Sequence, residues 1–174
     1  MIIVETPRLI LREFCLNDSD AMTRVFGDAE VMKYGDGVKT QQWVEAWIAR
    51  WIGELYPAWG FGMWATVEKS GGTVVGYCGL SRFPGRCATH ETEIGFRLER
   101  AYWGRGLATE AALAIRDCGF HTLRLPKLIA VIDPGNVPSI CVAEKIGLHY
   151  EREVMLEGYD HQDHVYALGS PAGG

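Results

Sequence analysis

The hydrophobic pattern of this chain changes period near residue 60, and that change limits the folds open to it. Before it, Trp43, Val44, Trp47, Ile48, Trp51, Ile52 and Leu55 recur at i, i+1, i+4 and i+5, the spacing of one helix face. Thr40 stands where an N-cap hydroxyl belongs, and Pro57 is expected to end the helix because it has no N–H to donate. After it, residues 61–68 and 73–80 read as two strands. Ser70-Gly71-Gly72 between them supplies the positive-φ residues of a tight hairpin.

The rest of the chain extends both patterns. Residues 8–14 alternate as a strand covered on one face. Asn17 and Asp20 frame a helix start in the manner of a capping box, with Ala21, Met22, Val25 and Phe26 as its stripe and Gly27 as its stop. Residues 91–98 form a further strand, followed by a helix with Leu107, Ala111, Ala114, Ile115 and Cys118 on one face. A short apolar strand over 128–132 turns at Asp133-Pro-Gly-Asn136 into a helix opened near Pro138-Ser139 and closed by Gly147. Strands over 149–156 and 164–168 end the order, with residues from Ser170 onward expected to fray. The expectation is one α/β (α+β) domain over residues 1–174, a mixed, mostly antiparallel sheet of about seven strands flanked by about four helices.

At 174 residues, 48% of them hydrophobic, the chain can close one core without disulfide or metal support. Its 17 Lys+Arg against 22 Asp+Glu argue against a generic nucleic-acid or anionic-membrane surface. The apolar run at Met1 is too short for a signal peptide, and no stretch of 18 apolar residues occurs, so a cytoplasmic protein is expected. The 5 cysteines are odd in number and form no C-x-x-C pair, which fits core residues in a reducing compartment.

Chemistry concentrates between Glu93 and Ala111. There a strand passes through a glycine-containing loop into a helix start, whose first N–H groups have no intrahelical partner and whose dipole is positive. Such a turn takes phosphate. Gly104, Gly106 and Ala108 keep side-chain bulk away, Thr109 adds a hydroxyl, and Arg97, Arg100 and Arg105 add positive charge. A P-loop would need Gly-Lys-Ser/Thr, which is absent. A dinucleotide fingerprint would want Gly or Ala at position 109 and would open the first βαβ unit.

The loop stands among other matching pieces. Trp103-Gly-Arg-Gly-Leu-Ala108 resembles the phosphate loop Q/R-x-x-G-x-G/A of the GNAT superfamily of acyl-CoA N-acyltransferases, with Trp in place of the first polar residue. The match is closest to the branch of ribosomal-protein N-terminal acetyltransferases. It runs through Glu5-Thr-Pro-Arg-Leu-Ile-Leu-Arg12, Asp28-Ala-Glu-Val-Met32, Glu93-Ile-Gly-Phe96, Tyr102 to Ala111, Asn136-Val-Pro-Ser139 and Glu144-Lys-Ile-Gly147.

The resemblance implies a transfer from acetyl-CoA to a primary amine in a ternary complex, with no metal, by a monomer or homodimer. It implies that the strand before the loop splays, so that Phe96 and Leu98 offer backbone to pantetheine while Trp103, Gly104, Arg105, Gly106, Leu107, Ala108 and Thr109 hold the pyrophosphate. Asn136 corresponds to the residue touching the pantetheine region. Glu93 is the first candidate base and Glu91 the second, two residues away on the same strand face. The family's usual acid, a Tyr seven positions after the Asn, is Ala143 here, so Ser139 is the expected proton donor to the thiolate and a cofactor contact. Tyr34 and Gly158-Tyr159 are expected in the acceptor walls, and the Trp43/Trp47/Trp51 stripe in the core or beside them.

His161-Gln-Asp-His164 beside Asp160 reads as solvated turn residues, since i, i+3 spacing in a loop fixes no metal geometry. Two other classes could use this sequence. A non-catalytic acyl-CoA sensor would keep the loop, a reading favoured by Ala143, and a nicotinamide oxidoreductase would bind NAD(P) in its place.

Overall fold

In the computed structural model, which describes residues 1–82 and 91–170, eight strands form one sheet in the order β1-β2-β3-β4-β5-β6-β8-β7. The strands are β1 (Ile2–Glu5), β2 (Leu9–Arg12), β3 (Met63–Glu68), β4 (Thr73–Ser81), β5 (Thr92–Leu98), β6 (Lys127–Ile132), β7 (His149–Met155) and β8 (Gln162–Gly169). Every pairing is antiparallel except β5–β6. The sheet thus has one strand more than the seven expected. The addition is β1, an edge strand whose exposed and half-buried residues carry no alternating stripe. The fraying expected from Ser170 onward does not hold at Ser170, whose N–H donates to Pro126 O at 2.8 Å, and otherwise falls on 171–174, outside the described residues.

Helices α1 (Ser19–Phe26), α2 (Gln41–Arg50), α3 (Tyr56–Trp59), α4 (Leu107–Asp117) and α5 (Val137–Lys145) cover the sheet. Thr40 caps α2 through the Trp43 N–H, 3.2 Å. The rod does not stop at Pro57. A π turn over Trp51–Leu55 joins α2 to α3, with the Tyr56 N–H reaching back to Trp51 O. Pro57 falls in the first turn of α3, where no intrahelical donor is needed. Gly60, at φ 72, ends the rod. Four helical bodies result.

Neither Asn17 nor Asp20 caps α1: a 3-10 turn over Leu16–Asp18 leads into it, and the Asp18 side chain closes that turn. The buried Asp18 carboxylate accepts from Arg12 Nη1 and Nη2 at 2.7 and 2.8 Å and from the Cys15 N–H at 2.8 Å. Burial pushes the Asp18 carboxyl up, but the Arg12 and Cys15 hydrogen bonds outweigh it and hold the group below the usual range.

The alternation along β2 divides two cores. Leu9 and Leu11, both fully buried, join Leu107, Ala111, Ile115 and Ala143 beneath α4 and α5. Ile10 faces the other way, toward Met22, Val25, Val44, Ile48 and Trp51 of α1 and the α2 rod. The site arises where the sheet opens. Strand β5 pairs with β4 from Gly76↔Leu98 to Ser81↔Glu93, but with β6 only at Thr92↔Leu128 and Glu93↔Ile129. Beyond Glu93 the β6-facing edge of β5 pairs with no strand among the described residues.

Candidate active site

The splayed strand leads directly to the start of α4. Gly104 and Gly106 hold φ 71 and 75, a region that side-chain-bearing residues enter at a cost, and Gly106 is the N-cap. The first α4 hydrogen bond runs from the Glu110 N–H to Gly106 O, 3.0 Å, so the N–H groups of Leu107, Ala108 and Thr109 precede the ladder. Together with the helix dipole, free N–H groups so placed suit an anion.

A fastening invisible to the motif reading fixes this loop. Glu110 accepts the Thr6 hydroxyl at 2.6 Å and the Arg8 N–H at 2.9 Å, and pairs with Arg8 Nε at 2.6 Å. Arg8 Nη1 also donates to Arg105 O at 2.8 Å. Burial raises the Glu110 carboxyl, but Thr6 and Arg8 outweigh it and lower the group overall. The available signal was a carboxylate in the first turn of a helix otherwise suited to anions.

The three arginines expected to add charge diverge. Arg105 pairs with Glu68 and lies over the Tyr102 ring, 5.3 Å from its centroid. Arg97 turns toward the sheet opening, with Nη1 3.0 Å from Met32 Sδ, and Arg100 is exposed on the α1 side. Trp103 folds back and donates its indole N–H to Leu98 O at 2.8 Å, while Leu98 itself is buried opposite Gly76. Backbone donors therefore dominate the loop.

A cleft of about 440 Å³ opens where β5 and β6 part. It brings together Tyr34, Glu93, Phe96, Asn136, Ser139 and Tyr159, six of the residues singled out from sequence, from four separate segments. Glu93 is 8% exposed. Asn136 caps α5 by accepting the Ser139 N–H at 3.3 Å, which fixes Ser139 at the cleft edge.

Glu91 is not brought to the cleft. Its carboxylate meets Arg152 Nη2 at 2.7 Å and Lys127 Nζ at 3.2 Å, and Lys127 also binds Glu151 at 2.8 Å. Burial raises the Glu91 carboxyl, but these two cations bring it below its ordinary value. It is held as a structural anion.

Of the turn residues, Asp160 is solvated as expected and Asp163 is not. Asp163 is 5% exposed and, with Asp133, lines the cleft; His161 Nε2 lies 3.2 Å from a carboxylate oxygen of each. One donor atom from each of the three falls within 4.8 Å of the others. Asp160, then Asp133 and Asp163, hold His161 toward its charged form against burial.

A mixed sheet opens beside a helix start that no side chain caps, with a carboxylate and a hydroxyl in the opening, and the homologues of this chain make it an acetyl-CoA-dependent N-acyltransferase. The chain belongs to the GNAT acetyltransferase family: residues 8–149 match the acetyltransferase (GNAT) domain. It is 37% identical over 153 residues to YkkB of Bacillus subtilis, covering 86% of each chain. Superposition on a GNAT-family acetyltransferase from Bacillus anthracis gives a TM-score of 0.83 at 28% identity, over 97% of this chain and 98% of that one. RimL, a ribosomal alpha-N-protein acetyltransferase solved in complex with coenzyme A, shares the fold at a TM-score of 0.80 and 17% identity, over 98% of both chains. Among the described residues no helix is long and apolar enough to cross a membrane.

Proposed function

We propose that this protein transfers the acetyl group of acetyl-CoA directly to a primary amine in a ternary complex, in the cytoplasm. The observation that carries the reading is the edge of β5 beyond Glu93, which pairs with no strand among the described residues and runs from the cleft to the loop that starts α4. The N–H groups of residues 104–109 receive the pyrophosphate, and the open backbone around Phe96 receives the pantetheine arm. Asn136 and Ser139 flank its end.

Attack requires a neutral amine, and groups with pKa of about 7.7 to 10.4 are mostly protonated at neutral pH. Glu93 takes that proton, directly or through one water. The nitrogen bonds to the thioester carbonyl carbon, a β5 backbone N–H stabilises the charge developing on oxygen, and the C–S bond breaks. Ser139 gives its proton to the departing thiolate, in the place of the tyrosine replaced by Ala143, and is restored by the proton that the newly acylated nitrogen loses.

Release of free thiol from acetyl-CoA against a panel of amines tests the reading. Turnover with at least one amine supports it. Coenzyme A binding by calorimetry without turnover across the panel would replace it with the sensor reading, and stabilisation by NADH but not by acetyl-CoA with a dinucleotide site.

A further inference from the structure

The charge of the cleft goes beyond what transfer to an amine requires. Its walls carry the carboxylates of Asp36, Glu93, Asp133, Glu157 and Asp163 against one guanidinium, that of Arg97. One carboxylate suffices to accept the amine's proton. Asp36 is already met by Lys39 at 2.8 Å, and Asp133 and Asp163 share His161. Glu157, on the connection between β7 and β8, makes no hydrogen bond or ion pair among the described residues.

The aromatic wall selects the same charge. The chain's own cations already occupy ring faces there: Arg97 lies 5.7 Å from the Phe26 centroid, Lys39 5.4 Å from Trp43 and Lys33 5.4 Å from Tyr34. Ring faces attract cations most strongly when partly shielded from water. Trp47 and Tyr77 continue this wall with centroids 5.6 Å apart.

A buried hydroxyl supplies an independent sign of a missing donor. Ser81 is 1% exposed, lines the cleft, and its Oγ has no hydrogen-bond partner among the described residues. It sits directly opposite Glu93 in the β4–β5 register, so both side chains project from the same face. A buried polar atom left unpaired is costly, and an incoming ammonium or amine N–H would satisfy it.

We infer that the acceptor is a primary amine carrying a second positive charge, its reacting nitrogen set between Glu93 and Ser81 and its remote cation held by Glu157. This rests on the transferase reading above and adds the substrate class. Two sources offer that chemistry: a free aliphatic diamine or polyamine, and a peptide whose amino-terminal residue is followed by Lys or Arg.

Thiol release by the whole protein with saturating acetyl-CoA tests it on matched pairs. Butylamine is compared with 1,4-diaminobutane, and a tripeptide Ala-Ala-Ala with Ala-Lys-Ala. In one pair the dication is expected to show a kcat/KM about tenfold or more above its partner, shrinking as salt rises, and the pair that does so identifies the source. Glu157→Gln is expected to cut that ratio about threefold or more. Equal kcat/KM within both pairs, or a preference unmoved by Glu157→Gln and by salt, would overturn the inference while leaving the transferase reading intact. Coenzyme A binding with no thiol release from any of the four would overturn both.

Discussion

Arg8 and Glu110 lie 102 residues apart in sequence, and Arg8 Nε meets Glu110 Oε2 at 2.6 Å. The pair ties the β1–β2 turn to the first turn of α4, and the second contact of Arg8, to Arg105 O, reaches the loop itself. The conformation of the proposed anion site thus depends on a residue from the far end of the sequence.

Arg8→Ala is therefore expected to raise the KM for acetyl-CoA by about three- to tenfold and to change kcat by less than about twofold. The guanidinium is half exposed, so its ion pair contributes modestly to stability, and the larger effect falls on loop geometry. Steady-state rates with acetyl-CoA varied separate the two constants. An unchanged KM would mean that the loop keeps its shape without the clamp.

Gly104 offers a second handle on the same loop. A Cβ there would meet nothing within 4 Å, so Gly104→Ala introduces only backbone strain at φ 71, about 1 to 2 kcal/mol. Gly72, in the β3–β4 hairpin, is equally open at φ 66 and lies outside the anion site. Both variants are expected to lower Tm comparably, while only Gly104→Ala weakens coenzyme A binding by calorimetry, by about tenfold for loss of loop geometry. Equal affinities in the two would remove the loop from the binding site.

The unequal legibility of the sequence follows from how far each determinant reaches. The Trp43–Trp47–Trp51 stripe is periodic and local, and its helix forms where the period places it. Pro57 misleads because a π turn, which no simple period announces, shifts the hydrogen bonding ahead of it. Asn17, Asp18 and Asp20 are equivalent polar candidates in sequence; the depth of Asp18 beside Arg12 distinguishes it. Glu91 and Glu93 share strand parity, but Lys127 and Arg152, 36 and 61 residues further on, claim Glu91. The cleft residues were reachable through local motifs carrying the family resemblance. The acidic wall was not, since Asp36, Asp133, Glu157 and Asp163 meet only through the fold.

That separation of the two glutamates makes a direct contrast. Glu93→Gln keeps shape and removes the proton acceptor, so kcat is expected to fall about 10²-fold or more with the affinity for coenzyme A unchanged. Ser139→Ala is expected to lower kcat about tenfold, since water can still protonate a thiolate. Glu91→Gln disturbs only the Lys127–Glu151–Arg152 network, and its rate should stay within about twofold of wild type, with a Tm lower by a few degrees. Full turnover in Glu93→Gln would assign the proton to another acceptor.

Acid stability should report on the buried pair at the start of α1. The Asp18 carboxyl is lowered in the folded protein although burial opposes it, because Arg12 and the Cys15 N–H favour the charged form. A group whose folded pKa lies below its unfolded value of about 3.9 contributes fully above that pH and loses its contribution as pH falls through the folded value. Asp18→Asn keeps an acceptor for Cys15 but leaves Arg12 without its counter-charge. Removing one partner of a pair that is 4% exposed on the acid side and 26% on the arginine side is expected to cost about 2 to 3 kcal/mol, reduced from the fully buried case by solvent at Arg12. At pH 7 this corresponds to a Tm lower by roughly 4 to 12 °C for a domain of this size. As pH falls below about 4 the unfolded chain takes up its proton first and the folded carboxyl only below its own, lower value, so the two melting curves should converge progressively over that range. A Tm difference that stays constant from pH 7 to pH 3 would show that Asp18 acts through hydrogen-bond geometry alone, without its charge.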